Sequence, residues 1–156
     1  MRDLKDTVAW ITGAGTGIGE GAAVAMAREG AKVILTGRRL EPLEQVSKKI
    51  TDSGGFVEIA QGDARDRPGM TVLAKDIQNR YGKLDLLFNN HGINITNRNW
   101  GGGNLEGWDE VIDVNVKGAY NCALAALEIM RPQGEGTIIT TSSKAGVNYS
   151  PRAGVA

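Results

Sequence analysis

Val8-Ala9-Trp10-Ile11-Thr12-Gly13-Ala14-Gly15-Thr16-Gly17-Ile18-Gly19 is the stretch that decides the fold. Its first four residues form an apolar run of the length of a short buried strand. After the glycines, apolar residues recur at helical spacing at Ile18, Ala22, Ala25 and Met26. Strand, glycine turn and helix in that order form a dinucleotide site. Gly13 lets the chain turn sharply off the strand, Gly17 lets backbone N–H groups approach a pyrophosphate, and Gly19 lets the helix pack close to the sheet. The N-terminus of the helix then faces the phosphates with unpaired donors and the positive end of its dipole. The glycines run G-x-x-x-G-x-G rather than G-x-G-x-x-G, and a plain strand–turn–helix corner that needs glycine for geometry is the alternative.

The wider composition is that of a soluble globular protein. The 156 residues suffice for one domain with a core, and 41% are hydrophobic against 23% charged. A formal net charge of zero and a pI of ≈ 6.6 imply neither a nucleic-acid nor a membrane partner. Cys122 stands alone, which excludes an internal disulfide and suits a reducing cytoplasm. The charged start, Met1 to Asp6, runs almost directly into the first strand and leaves no room for a signal peptide, and no apolar run nears membrane-spanning length.

Strands and helices alternate along the rest of the chain. Ala31 to Thr36 reads as a second strand. Leu40, Leu43, Val46 and Ile50 mark one face of a helix ended by Ser53-Gly54-Gly55. Phe56 to Ala60 is a third strand, and a helix with the face Met70, Leu73, Ile77 and Tyr81 follows Pro68. Leu84 to Phe88 is a fourth strand, and Asn94 to Asn104 a polar, glycine-rich loop. One long helix is expected from about Leu105 to Met130, then a fifth strand from Thr137 to Thr141. This rhythm predicts βαβ units and a parallel sheet in a single domain, 1–156.

The T-G-x-x-x-G-I-G spacing of the first turn resembles the short-chain dehydrogenase/reductase family. Three later stretches agree with it in order: Asn89-Asn90-His91-Gly92, Val114-Asn115-Val116-Lys117-Gly118 and Ser142-Ser143. The resemblance implies an α/β, Rossmann-like doubly wound parallel sheet of about five strands, order 3-2-1-4-5. It implies a cofactor site built from Gly13, Gly15, Thr16, Gly17, Ile18 and Gly19. Asp63 and Ala64 after the third strand join it, Asp63 as acceptor for the adenine amino group, with helix capping as its alternative role. Asn89, Asn90 and Gly92 line the ribose, the first Asn also bracing the sheet. His91 stands where the family usually has alanine.

Cofactor preference is read at the end of the second strand, roughly 20 residues after the glycine turn, where a carboxylate favours NAD. This sequence has Gly37-Arg38-Arg39 there. With no carboxylate to repel a 2′-phosphate and two guanidinium groups to bind it, NADP is favoured, NAD remaining open. Two solvated arginines at the start of a helix are the alternative.

By the resemblance, the reaction is hydride transfer between a nicotinamide and a carbonyl or secondary alcohol, with Asn, Ser, Tyr and Lys as the catalytic set. Asn115 and Ser143 fit the first two roles, with Ser142 as runner-up to Ser143. Counting on from Ser143, the family's Tyr-x-x-x-Lys falls at Ala156 or just beyond. Tyr149 comes too early and has Ala153 where its lysine belongs. The expectation is an N-terminal portion of a longer, self-associating reductase, inactive by itself. A non-catalytic dinucleotide-binding or sensor protein is the alternative.

Overall fold

The computed structural model describes residues 4–96 and 104–143. Trp100 and the three glycines beside it, and Lys144, Tyr149 and Ala153, lie outside the described residues. Five strands, β1 (Val8–Thr12), β2 (Lys32–Thr36), β3 (Phe56–Ile59), β4 (Leu86–Asn89) and β5 (Thr137–Thr140), alternate with helices α1 (Gly17–Arg28), α2 (Leu40–Asp52) and α3 (Arg67–Tyr81). Between β4 and β5 run α4 (Leu105–Val111), a π-helical segment (Ile112–Gly118) and α5 (Ala119–Gln133). The sheet order is β3-β2-β1-β4-β5 and every pairing is parallel, as expected of a doubly wound α/β fold.

Strand periodicity divides the core in two. Successive side chains leave a strand on opposite faces. Trp10, Ile34 and Leu87 therefore pack with α3 and α5, while Ile11, Leu35 and Phe88 pack with α1 and α2. Both faces of β1 are covered and all five of its residues are buried, which is why it reads as an unbroken apolar run. Removing a side chain such as Ile11 or Leu35 from water contributes about 2 kcal/mol.

Two helices differ from their sequence pattern. In α1 the buried residues are Gly19, Ala23 and Ala27, while Ile18 is 66% exposed and Ala25 also faces solvent. Gly19 sits against the glycine turn, so the smallest side chains, not the largest, face the sheet. The expected helix Leu105 to Met130 is interrupted by the π segment, whose wider turn resets the facing positions. Val111, Val114, Gly118 and Cys122 are buried, whereas Ile112, next to Val111 in the chain, is 43% exposed. Periodicity of 3.6 cannot register an inserted residue.

Candidate functional site

β1 lies between β2 and β4, and the chain leaves it toward opposite sides of the sheet. At such a reversal the loops beyond the C-terminal strand ends part and leave a crevice. Here it is a cleft of about 390 Å³, lined by the ends of β1, β2 and β4, the glycine turn, and Gly62 to Ala64.

The glycine turn is shaped by close approach. Gly13 has φ +61°, and a Cβ on it would lie 2.7 Å from the Cα of His91. A Cβ on Gly19 would collide with the Gly13 carbonyl oxygen and lie 2.6 Å from Asn90 Nδ2. Side chains at these two positions would push α1 off the strand ends. Gly17, with φ +61°, opens α1 and meets nothing within 4 Å on its Cβ side. Thr16, the N-cap residue, makes no side-chain cap hydrogen bond. The first-turn N–H groups of α1 thus stay available for an anion, as a pyrophosphate requires.

At the end of β2, Arg38 and Arg39 are exposed and line the cleft, and neither belongs to an ion pair among the described residues. Gln61 Nε2 donates to the Arg38 carbonyl at 2.8 Å, tying this turn to the end of β3. Asp63 and Ala64 line the same end. The Asp63 carboxylate already accepts from Arg65 Nη2 at 2.6 Å and from Arg65 Nε at 3.0 Å, and this guanidinium holds its carboxyl below the usual range. Asp63 therefore meets the cleft as one half of an ion pair.

Asn89 is not among the lining residues of the cleft; it takes the other place expected of it and braces the sheet. It is 3% exposed and its Nδ2 donates to the Ala119 carbonyl at 3.0 Å, because strand alternation turns it toward α5. Asn90 lines the cleft instead: its Nδ2 donates to the Gly13 carbonyl at 3.3 Å, and its Oδ1 accepts from Thr141 Oγ1 at 2.9 Å. Gly92 also lines it, and a Cβ there would approach Asn115 Oδ1 at 3.4 Å.

Asn115 lies in the π segment. Its Oδ1 accepts from the Ile93 N–H at 2.8 Å and its Nδ2 donates to the Ile93 carbonyl at 2.9 Å. This two-point clamp, with each neutral bond contributing about 1 kcal/mol net, joins the π segment to the loop after β4. Asn115, Gly17 and Gly19 are not among the lining residues, and neither is Ser143, which is exposed beyond β5. Thr141 supplies the lining there.

The lining also holds residues the sequence reading did not single out as site residues, among them Thr12, Thr36, Pro42, Ile93 and Val114. Thr12 and Thr36 are the last residues of β1 and β2, so their position at strand ends was the available signal. Thr36 Oγ1 also accepts from Trp10 Nε1 at 2.9 Å, binding the buried indole to the rim. The fit to a dinucleotide is good: an uncapped helix start, a side-chain-free turn and a cationic corner face one cleft.

Relatives place this geometry. A family model described as short chain dehydrogenase matches residues 7–155. An uncharacterized oxidoreductase of Listeria innocua is 38% identical over 148 residues, covering 95% of this chain and 59% of the relative. One from Staphylococcus saprophyticus is 35% identical over 153 residues, covering 97% and 65%. The chain thus spans about three-fifths of the length of such relatives. Among solved structures, a metagenomic short-chain oxidoreductase in complex with NADP superposes with a TM-score of 0.90 at 32% identity, over 98% of this chain and 70% of that one. An NAD+-bound xylitol dehydrogenase superposes at 0.93 with 27% identity, over 97% and 58%. With a family match running almost from end to end over a sheet of the same order, the chain belongs to the short-chain dehydrogenases.

Proposed function

We propose that this chain is the nucleotide-binding part of an NADP-preferring oxidoreductase that interconverts a carbonyl and a secondary alcohol. The observation that carries the reading is the convergence of the uncapped α1 start and the Arg38–Arg39 corner on one cleft. The α1 N–H groups would hold the pyrophosphate, and the two guanidinium groups a 2′-phosphate. Asp63 would take the adenine end, and Asn90 and Gly92 the ribose. The nicotinamide, when bound, supplies or accepts the hydride.

Asn115 and Ser143 are the chain's own candidates for the catalytic set. Asn115, clamped to Ile93, would hold the π segment beside the cleft and anchor a water for proton relay. Ser143 would orient the substrate oxygen. Residues 144–156 contain no Tyr-x-x-x-Lys, so negligible turnover is the expected outcome for these 156 residues assayed by themselves. Among the described residues no helix is long and apolar enough to cross a membrane. Leu105, Val116 and Tyr120, 74%, 57% and 62% exposed along α4, the π segment and α5, are the surface for self-association.

Titration with NADPH and with NADH, followed by quenching of tryptophan emission, tests the reading. Saturable binding with NADPH favoured about tenfold, or ~1.4 kcal/mol, is expected. Equal affinities would remove the NADP preference, and no binding of either would overturn the whole reading. NADPH-dependent reduction of a ketone by this chain would overturn its inactivity.

A further inference from the structure

His91 is the chain's one histidine, and its ring lies at the floor of the cleft between Asn90 and Gly92. Nδ1 is 2.7 Å from Thr12 Oγ1 at the end of β1. On the other side, Nε2 is buried against the π segment. It has no hydrogen-bond partner among the described residues, and a Cβ on Gly118 would sit 2.8 Å from it. Gly118 has an ordinary helical φ of −60°, so its backbone does not demand glycine. The imidazole does.

Donor counting assigns the tautomer. Thr12 Oγ1 already accepts from the Asn90 N–H at 3.1 Å and the His91 N–H at 3.4 Å, which uses both lone pairs. Its own proton then goes to Nδ1, much closer than the alternative Phe88 carbonyl at 3.4 Å. This count makes Nδ1 the acceptor and leaves the ring proton on Nε2.

We propose that His91 is a positioning residue: held as the Nε2–H tautomer between Thr12 and the Val114–Gly118 turn, its ring sets the spacing between the glycine turn and the π segment that bears Asn115. It rests on the nucleotide reading only where binding is the readout. Burial disfavours the imidazolium and holds the ring below its ordinary value. The charged group acting on it is Asp63, itself paired with Arg65, while Asp113 and Lys117 on the π segment pair with each other in solvent. Protonating Nδ1 would make it a donor, so the Thr12 hydroxyl proton would have to turn to the Phe88 carbonyl at 3.4 Å and the Thr12 contact would reverse.

With a single imidazole, the long-range proton–nitrogen spectrum of the 15N-labelled 156-residue chain contains one ring. The expected pattern is an unprotonated Nδ1 and a protonated Nε2, retained with NADPH bound and titrating below 6.5. An Nδ1–H ring, or one that titrates at the ordinary value, overturns the proposal. Gly118→Ala and His91→Ala supply a second measurement by thermal unfolding. Gly118→Ala lowers the midpoint in the His91 protein and lowers it less in the His91→Ala background, where only the 3.1 Å approach to Ala64 Cβ remains, whereas additive effects overturn the pairing. His91→Asn, which keeps an acceptor at the Nδ1 position, is expected to retain NADPH affinity within about threefold, and His91→Leu to lose about tenfold. Equal affinities for these two variants overturn the positioning role. If the unaltered chain binds no NADPH, the nucleotide reading fails, and the spectrum and the unfolding cycle still decide for or against His91.

Discussion

Helices α1 and α3 both start at a polar residue with a glycine close behind, yet they begin in different ways. At α3, the Asp66 carboxylate accepts from the Gly69 N–H at 3.1 Å and closes the first turn. At α1, Thr16 makes no such bond, and the turn opens on the cleft. The start of α2 is likewise uncapped, and its Arg39 and Pro42 line the same cleft. Helix α3, which finishes its own N-terminal hydrogen bonding, supports the core, whereas α1 and α2, which leave theirs unfinished, border the cleft. An exposed first turn costs stability that an anion can restore.

The largest effect is expected at the contact that brings α1 to the cleft. Gly19→Val drives its side chain into the Gly13 carbonyl and Asn90, and should lower unfolding free energy by about 3 kcal/mol with loss of nucleotide binding. Denaturant titration checks it, and a cost below ~1 kcal/mol would mean that the α1 contact yields easily. Next comes Gly17→Asp, which puts a carboxylate at the uncapped start. NADPH affinity should fall about thirtyfold, or ~2 kcal/mol, while stability falls by about 1 kcal/mol, the strain of a side chain at φ +61° being offset in part by the helix dipole. The same affinity in this variant would end the contrast between the two helices.

Asp66→Ala is the converse change. It should cost about 1 kcal/mol of stability through loss of the cap and leave nucleotide affinity unaltered. Calorimetry with and without NADPH separates the two effects. The smallest effect belongs to the Asp63–Arg65 pair. Because the folded-state pKa of Asp63 is lowered from 3.8, its stabilisation is present above that value and is lost as pH falls through the lower one. Arg65→Met should therefore be slightly less stable than the parent at neutral pH, with the difference vanishing in strong acid. A difference that persists there would assign the loss to packing.

Much of the site was legible because it follows from local chemistry. Gly13, Gly15, Thr16 and Ile18, and also Arg38, Arg39, Asp63, Ala64, Asn90 and Gly92, meet at one cleft once a glycine turn and parallel strands are granted. The two adjacent asparagines look alike in sequence, and strand alternation sends Asn89 to α5, where it braces the sheet, and Asn90 to Gly13 at the cleft. The π segment escaped notice for a similar reason: its consequence is a shifted register, and no residue type marks it. His91 and Gly118 are twenty-seven positions apart and gain their meaning only as neighbours.

The sequence by itself determined the strand–turn–helix order, the parallel α/β class and the cationic corner after β2, since periodicity, glycine geometry and charge act over a few residues. Tertiary structure decided which face each Asn presents, that Gly19 rather than Ile18 faces the sheet, and that a histidine ring fills the space above Gly118. These depend on distances between segments far apart in the chain. Packing is a property of pairs, and no single stretch contains both members.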